Sequence, residues 1–82
     1  MIMSKKPWKP SDYTIERALK DMLVREESIY HAGDIQVGRN YVMRDHGDYV
    51  EINIDADTPK GHVSYDLYFD EHDRLVDWKK HR

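Results

Sequence analysis

The sequence predicts an α+β fold in which one N-terminal amphipathic helix packs on one face of a four-stranded antiparallel meander. Apolar residues recur at helical spacing in the first third of the chain. After Gly33 the apolar period falls to two, which is typical of strands with one buried face. Turn-forming residues divide this second part into segments short enough to be consecutive strands. A helix followed by a run of strands is the pattern of an α+β domain.

Chain length and composition predict a single domain over residues 1–82. With 82 residues, of which 39% are hydrophobic and 35% charged, the chain has enough apolar side chains for one small core under a charged surface. Pro7 and Pro10 flank Trp8, and three lysines lie among the first ten residues. We therefore expect residues 1–10 to form an extended basic arm ahead of the folded part.

The helix is predicted over residues 11–32. Ser11 or Asp12 supplies an N-cap, because a short side-chain oxygen accepts a hydrogen bond from the unpaired amides of the first turn. Gly33 is the predicted stop. The apolar stripe contains Ile15, Ala18, Leu19, Met22, Leu23, Ile29 and Tyr30. On the polar side, Glu16 with Lys20 and Arg17 with Asp21 are oppositely charged pairs four residues apart.

The sheet is predicted over residues 34–79, and its first hairpin turns at "RDHGDY". Apolar residues occupy odd positions before this turn and even positions after it. A two-residue loop at His46-Gly47 pairs Met43 with Val50, which keeps both apolar sets on one face. Gly47 tolerates the positive φ that such a loop requires.

The remaining connections follow from the same alternation. Pro59 and Gly61 mark the second loop, and pairing Ile54 with Val63 keeps the third strand on the same core face. A turn at Asp70 to Asp73 then leads into a fourth strand from Leu75 to Lys79. A three-residue loop with Asp73 at positive φ pairs Phe69 with Leu75 and directs Val76 and Trp78 away from the core. A two- or four-residue loop directs Val76 and Trp78 into the core instead.

The closing hairpin resembles a sequence pattern found in small bacterial sheet domains. "YFDEHDRL", from Tyr68 to Leu75, is similar to the aromatic-Phe-Asp-x-x-Gly-x-Leu ending of domains that include the outer-membrane assembly lipoproteins. Asp73 stands where that pattern has glycine, and this sequence lacks the lipid-anchor cysteine and second helix of those lipoproteins. The resemblance implies a hairpin at this position and no function.

The sheet face that the helix does not cover is the predicted interaction surface. Aromatic and aliphatic side chains within a charged surround are typical of an interface core. We predict that this face contacts a protein partner or a second copy of the chain in a homodimer. The face is predicted to display Val42, Arg44, Tyr49, Glu51, His62, Ser64, Asp66 and Tyr68, joined by Val76 and Trp78. The predicted contact residues are Val42, Tyr49, Tyr68, Val76 and Trp78.

The first and last turns of the meander provide an alternative: a divalent-metal site, in a metal-binding protein or a metal-dependent enzyme. Both turns lie at one end of the sheet, where we also expect the helix N-terminus and the basic arm. Carboxylate and imidazole ligands suit Mn, Ni or Zn. The competing interpretation is that the aspartates bond their own backbone, as they commonly do in turns. The candidate ligands are Asp45, His46, Asp48, Asp70 and His72.

Other functional classes find less support in the sequence. The absence of cysteine excludes disulfides and thiolate sites, and no apolar run approaches the roughly 20 residues of a membrane span. Because no nucleophile-elbow or phosphate-loop motif is present, catalysis is not favoured and no cofactor is expected. A net charge of −3 disfavours nucleic acid, although sheet aromatics with the basic arm leave single-stranded nucleic-acid binding as a second alternative. We predict a cytoplasmic, non-enzymatic protein-binding or regulatory module.

Overall fold

A computed structural model describes residues 9–81, so most of the predicted N-terminal arm lies outside the described residues. It contains one α-helix, a short 3₁₀ helix and a five-stranded antiparallel sheet, and it confirms the α+β class. The elements in chain order are α1 (Asp12–Glu26), the 3₁₀ helix (Ala32–Asp34), β1 (Gln36–Val37), β2 (Val42–Asp45), β3 (Tyr49–Thr58), β4 (Gly61–Asp70) and β5 (Leu75–Lys80).

The predicted first strand is divided into two short segments. Both β1 and β2 pair with β3, and the sheet continues through β4 to β5 in meander order. Gly38 lies at the break, where its N–H donates to the carbonyl of Asp55 at 2.8 Å. A Cβ at Gly38 would lie 3.0 Å from that carbonyl oxygen, so the close approach favours glycine. Four edge residues here, 38–41, oppose only residues 54 and 55 of β3.

The register that the sequence predicts for the first hairpin is wrong for β2. Met43 pairs with Ile52 rather than Val50, because the chain reverses one residue later than the sequence predicts. The reversal is a two-residue loop as predicted, but it consists of Gly47 and Asp48 and is closed by His46 N–H donating to Tyr49 O at 2.9 Å. Because the shift is an even number of residues, the buried face stays as predicted.

The second hairpin shows the same kind of two-residue shift. Val63 pairs with Ala56 rather than Ile54, and the strands continue to Thr58 and Gly61 on either side of Pro59 and Lys60. Ten consecutive pairs therefore join β3 to β4. The longer pairing leaves the assignment of residues to faces unchanged.

The last hairpin confirms the three-residue loop. Asp73 has a φ of 62°, and Phe69 pairs with Leu75. A β-bulge follows immediately, so Tyr68 pairs with Asp77 and Leu67 pairs with Trp78. Directly opposed residues share a face, and Leu67 is buried in the core. The prediction that Trp78 follows Tyr68 onto the open face is therefore wrong, because the bulge inserts one residue and reverses the alternation.

The helix begins as predicted and ends earlier. The side chain of Ser11 accepts from the Thr14 N–H at 3.1 Å, which confirms the N-cap. The last helical residue is Glu26 rather than residue 32, because Ser28 adopts a left-handed φ of 54° before Gly33 is reached. Ile29 is nevertheless buried, since the chain folds back onto the core beyond the helix.

The helix crosses the strands. At its N-terminal end, Asp12 accepts a hydrogen bond from the hydroxyl of Tyr41 at 2.5 Å. At the other end, its C-cap residue Glu27 accepts from Tyr65 Oη and Lys80 Nζ, each at 2.7 Å. Tyr41 lies next to the residue of β2 that pairs with Asn53, and Tyr65 lies next to the residue of β4 that pairs with Asn53. Tyr65 in turn pairs with Lys80 of β5. The contacts at the two ends of the helix therefore lie at the same level along the strands, and the helix runs across them. The expected proximity of the helix N-terminus to the acidic turns is therefore corrected.

The core lies between the helix and the face of the sheet that contains Ile52 and Leu67. Even-numbered residues of β3 and odd-numbered residues of β4 face this core. Both ion pairs predicted on the outer side of the helix are present, Glu16 with Lys20 at 3.0 Å and Arg17 with Asp21 at 3.9 Å. The buried apolar residues are Ile15, Leu19, Met22, Leu23, Ile29, Ile35, Val50, Ile52, Ile54, Ala56, Val63, Tyr65, Leu67 and Phe69.

Glu27 fixes the end of the helix to the sheet, so Glu27→Gln is expected to lower the free energy of unfolding by about 1 kcal/mol. The hydrogen bond from Lys80, assisted by that from Tyr65, holds the pKa of Glu27 below its usual 4.5. Its contribution is therefore present above pH 4.5 and lost as the pH falls through the lowered pKa. Urea unfolding at pH 7 and at pH 3.5 should show the difference from wild type shrinking in acid. An equal loss from Glu26→Gln would contradict this role.

Asp73 occupies backbone space that glycine adopts without strain, so Asp73→Gly is expected to raise the free energy of unfolding by up to about 1 kcal/mol. Asp73→Val should lower it, because β-branched residues are outliers at positive φ. Thermal unfolding followed by circular dichroism measures both changes. If the valine variant is as stable as wild type, the left-handed conformation at this turn is not required.

Candidate functional site: the open sheet face

The open face, as we call the side of the sheet away from the helix, contains the residues of β2, β3 and β4 that the sequence assigned to it, but not Trp78. Odd positions of β3 and even positions of β4 lie here, together with Val42 and Arg44 of β2. Asp77 and Lys79 of β5 join them opposite Tyr68 and Asp66. The face displays Gln36, Val42, Arg44, Tyr49, Glu51, Asn53, Asp55, Asp57, His62, Ser64, Asp66, Tyr68, Asp70, Asp77 and Lys79.

One end of the open face contains a shallow hollow of about 530 Å³, which we call the aromatic hollow. It is lined by Tyr49, Tyr68, Val76, Asp77, Trp78 and Lys79. Four of the five predicted contact residues therefore meet here. Val42 does not line it and lies on β2, where it is 56% exposed. Trp78 borders the hollow from the edge strand and is 36% exposed.

Ring contacts order the aromatic side chains of the hollow. Tyr49 and Tyr68 meet edge to face with centroids 5.9 Å apart, and the imidazole of His46 stacks on Tyr49 at 4.5 Å. Such pairs are favourable beyond the area they bury. Burial and the nearby Glu51 carboxylate raise the pKa of Tyr68, so its hydroxyl stays protonated and able to donate. The hollow is a preformed aromatic surface with a polar donor.

A chain of polar contacts crosses the centre of the open face. His46 bonds to Glu51 at 2.9 Å, and Asn53 Nδ2 donates to both Glu51 and Asp66. His81 reaches Asp66 from the far side at 2.6 Å. Asp66 is only 5% exposed, so these partners provide the hydrogen bonds that a buried carboxylate requires. Hydrogen bonds from Asn53, and then from His46, hold the pKa of Glu51 below its usual range.

The sequence prediction missed this chain because its register was displaced. Pairing Ile54 with Val63 places Asn53 opposite Ser64, whereas the structure places Asn53 opposite Asp66. His81 lies in no recognisable motif, and its N–H also extends the β5 pairing to Ser64 O at 2.8 Å. The feature that would have predicted these contacts is the length of the β3–β4 hairpin, whose strands remain paired up to the loop at Pro59 and Lys60.

At the opposite end of the open face, His62 lies between two carboxylates. Its Nδ1 is 2.7 Å from Asp57 and its Nε2 is 3.2 Å from Asp55. The hydrogen bonds to Asp57 and then to Asp55 raise the pKa of His62 above its usual 6.5. All three side chains are exposed. The arrangement is therefore a surface ion-pair cluster.

The acidic turns use their carboxylates locally. Asp45 accepts from Gly47 N–H at 2.8 Å, and Asp70 accepts from the N–H groups of His72 and Arg74. Among residues 9–81, no group of three or more histidine, aspartate or glutamate side chains is arranged to hold a metal ion. The carboxyl groups of Asp45 and Asp70 instead support the backbone of their turns.

The charge of the open face is predominantly negative. The paired strand residues contribute two permanent cations, Arg44 and Lys79. Its carboxylates are Glu51, Asp55, Asp57, Asp66, Asp70 and Asp77. Apolar and aromatic groups at one end of an acidic surface suit a ligand that combines apolar and basic groups.

Comparison of the chain with protein-family models, with curated proteins and with solved structures finds no match. Within the part of the chain that the structure describes, no helix is long and apolar enough to cross a membrane. The geometry and chemistry of the open face are therefore the basis for assigning a function.

His62 should titrate above its ordinary pKa, and Asp57→Asn should bring its pKa back toward 6.5 because the stronger of its two carboxylate bonds is removed. The raised pKa means that protonated His62 stabilises the fold below pH 6.5, and that this contribution is lost as the pH rises through the raised value. A proton NMR titration of the imidazole measures the shift. Asp48→Asn, in the distant first turn, is the matched control. An unchanged His62 titration in Asp57→Asn would contradict the pairing.

Proposed function

We propose that this chain is a small cytoplasmic, non-enzymatic module that binds a partner protein through its open face. One observation supports the proposal above others: the aromatic hollow holds Tyr49 and Tyr68 beside the exposed Val76. Solvated sheet faces carry mostly charged and small polar side chains, whereas aromatic residues are enriched where proteins meet. The hollow has the composition of an interface core with a charged rim.

The charge of the face indicates the chemistry of the partner. Asp77 lines the hollow, Glu51 pairs with Tyr68, and carboxylates outnumber permanent cations over the open face as a whole. A protein segment that inserts an apolar or aromatic side chain and places Lys or Arg beside it matches both features. Nucleic acid fits less well, because the same carboxylates repel phosphates around the aromatic rings.

Catalysis has weaker support from the geometry. The imidazoles of His46 and His62 are paired with carboxylates on an exposed surface. The buried carboxylate of Asp66 is held between Asn53 and His81. Acid–base catalysts instead need a pocket that positions a substrate next to the titrating group. A structural role for these pairs accounts for their positions.

The proposal is tested by selecting ligands from a random peptide library displayed on phage. We expect peptides with an aromatic or large aliphatic residue flanked by Lys or Arg to be enriched on the wild-type protein. Tyr68→Ser should weaken the binding of selected peptides at least about tenfold, because an aromatic anchor at an interface contributes on this scale. Isothermal titration calorimetry measures the loss.

Val42→Ser is the matched control, since Val42 is exposed on the same face but does not line the hollow. This variant should bind the selected peptides as wild type does. Circular dichroism establishes that both variants are folded. If selection enriches no peptide motif, or if the two serine variants bind the same peptides equally well, the hollow is a solvated surface and the proposal fails.

A further inference from the structure

The outer edge of strand β5 pairs with no other strand among residues 9–81. In this part of the chain β5 is the last strand of the sheet, and its inner side is bonded to β4. Its six residues, Leu75–Lys80, form the longest such edge among residues 9–81, since the opposite edge is divided between β1 and β2. A strand edge presents N–H and C=O groups that pair readily with another strand.

Hydrogen bonds identify which residues of β5 face outward. The N–H of His81 donates to Ser64 O of β4 at 2.8 Å. Because inward and outward backbone groups alternate along a strand, Lys79 also faces β4, while Trp78 and Lys80 direct their backbone groups outward. The Trp78 N–H agrees with this, since it donates to the side chain of Asp77 at 2.9 Å rather than to β4. The Asp77 side chain therefore accepts a hydrogen bond from an outward-facing N–H of its own strand.

The sequence of β5 is complementary to itself in one antiparallel register. When two β5 strands pair about a twofold axis at Trp78, Asp77 of each lies opposite Lys79 of the other. Both residues lie on the open face, and residues at such non-hydrogen-bonded positions approach to about 4.5 Å between Cα atoms. Registers centred on Asp77 or Lys79 would oppose like charges, which is unfavourable. Charge therefore selects the register centred on Trp78.

We propose that the partner of the β5 edge is a second copy of this chain. The two copies join their sheets antiparallel at Trp78, which exchanges two backbone hydrogen bonds with its symmetry mate. Each Asp77 carboxylate leaves the Trp78 N–H of its own chain and pairs with Lys79 of the other copy. The exposed indole of Trp78 becomes covered at the axis. The two aromatic hollows then lie on the same side of one continuous sheet.

This dimer uses the strand edge and does not depend on occupation of the aromatic hollow. Cross-linking tests it directly, because the chain contains no cysteine. In Trp78→Cys, the two sulfur-bearing residues face each other with Cα atoms about 5.5 Å apart, within the range of a disulfide. In Lys80→Cys, the same pairing separates them by about 14 Å. Under mild oxidation, we expect Trp78→Cys to form covalent dimers at least tenfold faster than Lys80→Cys.

A charge exchange tests the register. Asp77→Lys and Lys79→Glu should each weaken self-association at least about tenfold, because two attractive pairs become repulsive. An equal mixture of the two variants should associate again, since every 77–79 pair across the axis is then oppositely charged. Sedimentation velocity measures association. Lys79→Glu also places a carboxylate opposite Asp66, so circular dichroism must show that it folds.

The outcomes separate this proposal from the proposed function. Trp78→Cys combined with Tyr68→Ser should cross-link as fast as Trp78→Cys alone, even if peptide binding is lost. Equal cross-linking rates for Trp78→Cys and Lys80→Cys would overturn the dimer, as would wild-type protein that sediments as a monomer at millimolar concentration. A mixture of folded charge variants that associates no better than either variant alone would overturn the register.

Discussion

The pairing of β3 with β4 is the interaction on which the rest of the structure depends. Ten consecutive residue pairs hold these strands together, and both lie at the centre of the sheet. Ile52 and Leu67 of the same pair are completely buried, whereas Glu51 and Tyr68 of the next pair belong to the open face. This single hairpin therefore determines both the surface that the helix covers and the surface left for a partner.

Alternation of apolar residues was sufficient to predict the faces but not the register. Met43 and Ile52 were assigned correctly to one side because any shift by two residues preserves alternation. The shift arises at the loop, which consists of Gly47 and Asp48 rather than His46 and Gly47. A close backbone contact between Gly38 and Asp55 then accommodates the two extra residues on the edge of the sheet. Such a contact joins residues distant in sequence. Local patterning therefore contains no signal for it.

The candidate site was predictable to the same extent. Tyr49 and Tyr68 follow directly from alternation, and the loop with Asp73 at positive φ follows from turn chemistry. Trp78 does not, because the bulge between the Phe69–Leu75 and Tyr68–Asp77 pairs reverses the alternation along β5. The polar chain at Asp66 also required the true register. Alternation thus finds the aromatic centre of the site, whereas its polar surround depends on tertiary pairing.

The bulge also connects the two surfaces proposed for binding. By reversing the alternation, it places Asp77 on the open face beside Tyr68 and leaves Trp78 on the side of Leu67. Without the bulge, Trp78 would lie on the open face beside Tyr68, and the Asp77–Lys79 pair would lie on the helix side of the sheet. The inserted residue thus places an edge suited to another strand beside a hollow suited to an apolar side chain. Asp77, Trp78 and Lys79 border both surfaces, whereas Tyr49 and Tyr68 belong to the hollow alone.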